Sequence, residues 1–306
     1  MTSESFLQRL NCELCRSQET RVLYKSDFTE PVALAFLREY FGSDDFIKFV
    51  EEVKFEILQC KACGFIWQKN IPSRALMEKI YNKWVKAEDI LNYQNSASIH
   101  HFSSLANESS LIAFLLKKRP MDIRFLDFGM GWGERALSAK AFGYDSYGVE
   151  ISQKEVEFAS SRGIKAFLDS EHIDQKFDFI NSYGVIDQVL EPVKTVKKLC
   201  AMLDDNGIIK ISTQNSQWFP EKIMKGRWDR SMREMLPLLN PNGFTYATLI
   251  RLGKLCGLKK IKARRIFKAL IPALYQGSTN LKFMARNLLK HSFGTRTGLE
   301  IFFEKQ

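Results

Sequence analysis

Four of the six cysteines in this 306-residue chain stand in two Cys-x-x-Cys pairs, Cys12 with Cys15 and Cys60 with Cys63. Sulfurs spaced this way reach one ion together, and two such pairs supply the four thiolates of a closed tetrahedral zinc site. Gly64 follows the second pair, where a tight knuckle turn suits glycine. A site closed by four cysteines leaves no position for water, so its expected role is structural. The competing reading is a redox dithiol, which needs only one pair and a thioredoxin-like setting. A second group of residues is suited to holding a nucleoside. Gly129, Gly131 and Gly133 alternate with Met130 and Trp132 directly after Asp127-Phe128, and Glu150 follows about 20 residues on. Glycines there let the chain turn sharply and bring backbone amides against a ligand, while the acid accepts from both ribose hydroxyls. These residues alone do not separate a dinucleotide from S-adenosylmethionine.

Elements must hold each group in place. The 44 residues between the cysteine pairs exceed the common ribbon spacing, and the excess reads as helix at 33–40 with a further turn at 45–50. Residues 54–58 read as the strand entering the second knuckle. From 121 onward strands alternate with helices, which implies a parallel sheet covered on both faces. Strands are expected at 123–127, 145–149, 164–168, 177–182 and 208–212, the last after a turn at Asn206-Gly207. Helices are expected at 134–142, 191–203 and 246–255, the last stopped by Gly257. Strand-like alternation over 258–266 and a terminal strand at 298–304 complete the pattern. The fold class is therefore α/β: a Rossmann-like seven-stranded sheet with helices on both faces, preceded by a small zinc-ribbon-like module. The expected division is 1–75 for the module with its helical insert and 76–306 for the larger domain, which includes a basic helical insert at about 267–296.

Taken together, the motifs resemble those of class I S-adenosylmethionine-dependent methyltransferases. Asp127 to Gly133 is similar to their cofactor loop, Phe177-Asp178-Phe179-Ile180 with Leu190-Glu191-Pro192 to their fourth strand and its sequel, and Asp205-Asn206-Gly207-Ile208-Ile209 to the turn before their fifth strand. The two knuckles with Ile71-Pro72-Ser73 and Tyr81 resemble a subgroup with an N-terminal zinc ribbon, often linked to sugar or small-metabolite methylation. The resemblance covers nearly the whole chain apart from inserts after Cys15 and Arg265. It implies that Asp127, Gly129, Met130, Gly131 and Gly133 shape the pocket for the methionine part of S-adenosyl-L-methionine. Glu150 would hold the ribose, Ile151 would pack on the adenine, Asp169 would lie near the adenine amino group, and Asn181 with Ser182 would line the end of strand four. Many relatives carry Glu-His-Val after that strand; here the corresponding residues are Asp187-Gln188-Val189, and glutamine does not act as a general base. Candidates on the acceptor side are Tyr183, Asp187, Gln188, His101 and Tyr246, with His100 beside His101 in a polar stretch at 95–104 that can fold over the cofactor.

With 45% hydrophobic and 26% charged residues the composition is that of a folded protein. Without an apolar leader or a run of roughly 20 apolar residues, a cytoplasmic location and no transmembrane segment are expected. Cys200 and Cys256 read as ordinary buried thiols. The net charge of +10 is concentrated: residues 235–299 hold 12 Lys or Arg and no Asp or Glu. Within them Leu281, Met284, Ala285, Leu288 and Leu289 share one helical face, and Lys282, Arg286 and Lys290 another. The favoured reading is a methyltransferase acting on a small anionic acceptor, such as a sugar carried on a nucleotide or lipid phosphate. The alternatives are an RNA methyltransferase and an inactive cofactor-binding scaffold. Peripheral membrane contact through the basic amphipathic helix is compatible with each.

Overall fold

The computed structural model describes residues 5–85, 98–226, 228–275, 281–296 and 298–306. The chain opens with β1 (Phe6–Gln8) and, after the first knuckle, β2 (Thr20–Asp27). The helical insert forms α1 (Pro31–Phe41), whose first amides are capped by the Glu30 carboxylate, and the single turn α2 (Ile47–Val50). Then β3 (Lys54–Cys60) leads into the second knuckle, where Gly64 takes φ +79° as its turn requires. β4 (Ile66–Gln68), β5 (Asn70–Pro72) and α3 (Arg74–Lys79) follow, and α3 continues as one π-turn through Trp84.

The larger sheet begins after α4 (Ile99–Leu116) and alternates β6 (Arg124–Phe128), α5 (Glu134–Ala141), β7 (Asp145–Val149), α6 (Gln153–Ser161) and β8 (Lys165–Phe167). It then runs through β9 (Phe177–Tyr183), α7 (Pro192–Met202) and β10 (Leu203–Gln214). A long excursion follows, with α8 (Phe219–Met224), β11 (Asn242–Gly243), α9 (Tyr246–Leu255), β12 (Leu258–Lys260), α10 (Ala263–Tyr275), α11 (Leu281–Ser292) and β13 (Gly298–Lys305). The sheet order is β12-β13-β10-β9-β6-β7-β8, with the five earlier strands parallel and β13 antiparallel to both its neighbours. β6 and β9 lie side by side, so the strand order reverses between β7 and β9, and a ligand crevice opens at the carboxyl ends of those strands. β9 is buried from Phe177 through Ser182, its polar Asp178, Asn181 and Ser182 included, as befits a central strand covered on both faces.

Three elements differ from expectation. Strand pairing over 258–266 stops at Lys260, and the helix α10 begins at Ala263. Ile266, Ala269 and Leu270, spaced by three and four, all reach the core, and this is helical period. Asn206-Gly207 sits inside β10, where the register against β9 jumps from Leu203–Phe177 to Ile208–Phe179, so the turn is a bulge within one strand. On α11 the buried residues are Met284, Asn287 and His291, while Leu281, Ala285 and Leu289 face outward. Lys290 is turned to Glu300 at 3.6 Å, and the Lys282 side chain lies outside the described residues, as do 95–97 of the polar stretch.

The fully buried His291 explains the early end of β12. Its Nε2 donates to the Ile261 carbonyl at 2.7 Å, and its Nδ1 accepts from the Phe302 amide at 3.3 Å, where a strand partner would otherwise stand. Burial pushes its pKa down to about 4. The unfolded chain takes up this proton near 6.5 and the native state only near 4, so stability should fall as pH drops through that window. In acid unfolding, wild type should lose about 1–3 kcal/mol more than His291→Gln between pH 7 and 4; parallel curves would contradict this.

The cysteine-bearing region is tied closely to the larger domain. β11 adds to the small sheet by pairing with β4, giving the order β11-β4-β3-β2. A Cβ on Gly243 would meet Met235 Sδ at 2.8 Å and Ile66 Cβ at 3.1 Å, so this close approach needs glycine. Phe65 and Trp67 share one core with Phe244 and Leu249, and Phe28, Phe55 and Trp84 share another with Phe219 and Trp228. Buried Arg9 donates to Asn242 Oδ1 at 2.7 Å and to the Leu190 carbonyl, and Asn242 Nδ2 in turn donates to the Val189 carbonyl at 2.7 Å. Among the described residues no helix is long and apolar enough to cross a membrane.

Candidate functional site

The four knuckle sulfurs converge. Cys12 Sγ lies 3.5 Å from Cys63 Sγ, Cys15 Sγ lies 3.4 Å from Cys60 Sγ, and all four are within 4.8 Å of one another. Ligands at about 2.3 Å from a tetrahedral zinc stand about 3.8 Å apart, so the cluster has the right size. Burial pushes the Cys12 thiol well above its usual range and Cys63 to about 11, a preference that a divalent cation at the centre would reverse. The close contacts run between the knuckles, as a shared ion requires.

At the carboxyl ends of β6, β7 and β9 a cavity of about 600 Å³ opens. One wall is the glycine loop. Gly129, Gly131 and Gly133 take φ of +71°, +54° and +77°. A Cβ on Gly129 would stand 2.3 Å from Val185 Cγ2, whereas one on Gly131 would enter open space, with Glu155 Oε1 nearest at 4.0 Å. Glu150 closes the loop: Oε2 accepts from the Gly131 amide at 3.0 Å, and Oε1 accepts from Ile151 at 2.8 Å and Ser152 at 3.3 Å. Burial raises its pKa against the pull of these three amides. Beside it, Glu155 is pushed up to about 8 by burial and then by the charge of Glu150.

Of the residues singled out in the sequence, Gly129, Gly131, Glu150, Ile151, Asp169, Tyr183 and Gln188 line this cavity. Asp169 stands at its rim, accepting from the Glu171 amide at 2.7 Å. Others lie just behind the wall. Asp127 accepts from Asn181 Nδ2 at 2.7 Å, and burial lifts its pKa to about 6. Ser182 is fully buried beside Asn181, and Met130 folds under the loop against Gly148. Gly133 starts α5. Asp187 is likewise buried, pushed up to about 6, and accepts from the Gln214 amide and from Asn240 Nδ2. Two candidates stand outside the wall. His101 Nε2 meets Glu134 at 2.6 Å, and His100 beside it is exposed. Tyr246 accepts from Lys260 and donates to the His291 carbonyl at 3.4 Å.

Residues 99–262 match the profile of a methyltransferase domain. The chain belongs to the methyltransferase-domain family. It is also similar to the ubiquinone biosynthesis O-methyltransferase of Bradyrhizobium diazoefficiens, with 30% identity over 105 residues, 31% of this chain and 42% of that protein. The chain therefore matches less than half the length of this curated relative. Among solved structures it is similar to the plantazolicin methyltransferase BamL, in complex with a triazolic desmethylPZN analog and SAH, at 15% identity and TM-score 0.54, over 75% of this chain and 94% of that one. A likeness at 14% identity and TM-score 0.43 to PKMT2 from Rickettsia typhi covers 66% and 54%. At its identity the BamL likeness bears on the fold alone.

The far wall of this cavity was not legible in the sequence as a site. It is built by Tyr40 of α1, Met77 of α3, Tyr81 in the π-turn, and Leu236, Leu239 and Asn240 of the excursion after β10. Tyr81 donates to Gln188 Oε1 at 2.5 Å, and burial holds its phenol well above the usual range, so it is a hydrogen-bond donor and not a base. Behind the loop, Lys210 pairs with Glu108, and Arg135 lies 3.8 Å from Glu108 with its guanidinium 3.7 Å from the Tyr183 ring centroid. A signal for this cluster existed: Lys210 interrupts the apolar run Ile208-Ile209-Lys210-Ile211, and a charge inside a central strand demands a partner.

Proposed function

We propose that this chain transfers a methyl group from S-adenosyl-L-methionine to a small acceptor carrying an anionic group, such as a phosphate-linked sugar. The observation that carries the reading is the two-sided cavity, with the glycine loop and Glu150 on one side and Tyr81, Gln188 and an apolar wall on the other. The open space over Gly131 and the Glu150 carboxylate beside it fit a cationic nucleoside. Asp127, Gly129, Met130, Gly131 and Gly133 would shape the methionine end, Glu150 the ribose, and Ile151, Asp169, Asn181 and Ser182 the base and its surroundings.

The cofactor supplies an activated methyl group on a sulfonium, a good leaving group, so the protein's part is mainly alignment. Tyr81 fixes the Gln188 amide, and the pair would orient a polar group of the acceptor while Met77, Leu236 and Leu239 pack on its apolar part. The relative's name supports a small-molecule acceptor, while Arg74, Lys194 and Lys198 at the rim are each paired with a rim acid, Glu78, Glu191 and Glu171, which an anionic group of the acceptor would displace. Tyr183, which lines the cavity, and Asp187, buried behind its wall, would be the acid and base candidates on the acceptor side. Zinc, held by Cys12, Cys15, Cys60 and Cys63, would be structural. The division at about residue 75 and a cytoplasmic location complete the proposal.

The test is to incubate the protein with labelled cofactor and fractions of cell extract and identify what gains the methyl group. With that acceptor, Tyr81→Phe should lower kcat/KM about tenfold, because the half-buried Gln188 amide loses the donor that fixes it, while cofactor affinity stays unchanged. Label appearing on RNA instead would sink the small-acceptor reading.

A further inference from the structure

A second groove, of about 580 Å³, lies between the end of α4 and the first turns of α10 and shares no lining residue with the methyltransferase cavity. Lys117, Lys262, Arg264, Arg265 and Lys268 surround its apolar floor, and no carboxylate lines it. Arg265 is paired with Glu304 and donates to the Leu115 carbonyl. Among the described residues Lys117, Lys262, Arg264 and Lys268 have no acid partner. Arg264 and Arg265 also occupy the first turn of α10, the positive end of its dipole, where cations destabilise a helix. Like charges gathered against both their neighbours and the dipole are relieved by an anionic partner.

The same layer carries exposed apolar side chains. Phe267, 43% exposed, stands between Arg264 and Lys268. On α11, Leu281, Ala285 and Leu289 step by four along the outer face toward Phe293, and Leu281, Leu289 and Phe293 are 70%, 54% and 75% exposed. Ile266 and Leu270 of α10 and Met284 of α11 enter one core layer against the sheet, so the opposite faces of both helices look away from it together.

We propose that this outer face docks on an anionic phospholipid bilayer, with headgroup phosphates seated among the groove cations and Phe267, Leu289 and Phe293 entering the headgroup–acyl boundary. Mixed cations and apolar side chains on one face are what an interfacial helix needs. A nucleic acid would meet the cations and find rings in Phe267 and Phe293, but it would leave the exposed Leu281 and Leu289 in water, whereas a bilayer covers all four. The proposal is independent of which acceptor the cavity takes.

The experiment is co-sedimentation of the full chain with vesicles of phosphatidylcholine alone or mixed with phosphatidylglycerol, at low and physiological salt. Binding should be at least about tenfold stronger to the mixed vesicles and weaken with salt. At about fivefold per cation, K262Q/R264Q/K268Q should weaken it about a hundredfold. Leu289→Ser with Phe293→Ser should weaken binding to the same vesicles without changing the salt slope, which keeps the idea testable if the triple variant misfolds. Unchanged S-adenosylmethionine affinity reports that each variant is folded. Equal binding to both vesicle types, or affinity for RNA with a steep salt dependence and none for vesicles, would overturn the proposal.

Discussion

Replacing Cys60 and Cys63 by serine, or stripping metal with a chelator, is expected to destabilise the whole chain and not only its first 75 residues. Structural zinc contributes about 10–16 kcal/mol of apparent binding free energy in small zinc peptides, against total stabilities of about 5–15 kcal/mol for ordinary domains. The knuckle cysteines Cys12 and Cys60 belong to the same core as Phe65, Phe244 and Leu249, and β11 pairs with β4, so the loss cannot stay local. Arg9, three residues before Cys12, holds the Leu190 carbonyl and Asn242 beside the Gln188 loop, so loosening the first knuckle should also blunt the cavity. Metal analysis should find one zinc per chain in wild type and none in the variant. Thermal unfolding should move to lower temperature as a single transition, by well over 10 °C for a change of this size. Metal-free protein with freely titratable thiols and an unchanged melting temperature would rule out the zinc site.

Gly131→Val should abolish cofactor binding, by about a hundredfold or more, while leaving the chain folded. The new side chain would project into the cavity, where nothing but Glu155 Oε1 lies within 4 Å of its Cβ, so the cost to the fold is the positive φ, about 1–2 kcal/mol. Gly129→Val should behave differently, because its Cβ would stand 2.3 Å from Val185 and the chain itself would be strained. Glu150→Ala should weaken S-adenosylmethionine by about 1.5–3 kcal/mol, the scale of hydrogen bonds to a charged group, and leave the Gly131 amide without its acceptor. Calorimetric titration distinguishes the three. Tighter binding of a nicotinamide dinucleotide than of S-adenosylmethionine would contradict the functional reading.

Much of this protein was open to a reader of its sequence, because the signals are local. Cys-x-x-Cys pairs, a glycine loop after a short apolar strand, and Glu150 one strand later are each set by a few neighbouring residues. The strand–helix alternation follows from periodicity, the closing strand pair was what the family resemblance implied, and the order of the seven strands is seen only in the folded sheet. Where local period and context conflicted, the reading failed. The run at 258–266 alternates well enough for a strand, yet His291, thirty residues away from Ile261, takes the pairing position on β13 and Ile266 turns helical.

What the tertiary structure alone decided is the second wall of the cavity and the union of the two regions. Tyr40, Tyr81 and Leu239 come from a helical insert, a π-turn and an excursion more than 150 residues later, and no spacing rule links them. They meet because β11 extends the small sheet and because Phe28, Phe55 and Trp84 share one core with Phe219 and Trp228. Likewise, the sequence determined that a basic segment exists, but not which of its charges stay unpaired. Glu300 and Glu304 on β13 neutralise Lys290, Lys259 and Arg265 and leave Lys262, Arg264 and Lys268 facing outward, since pairing depends on which strand each helix packs against.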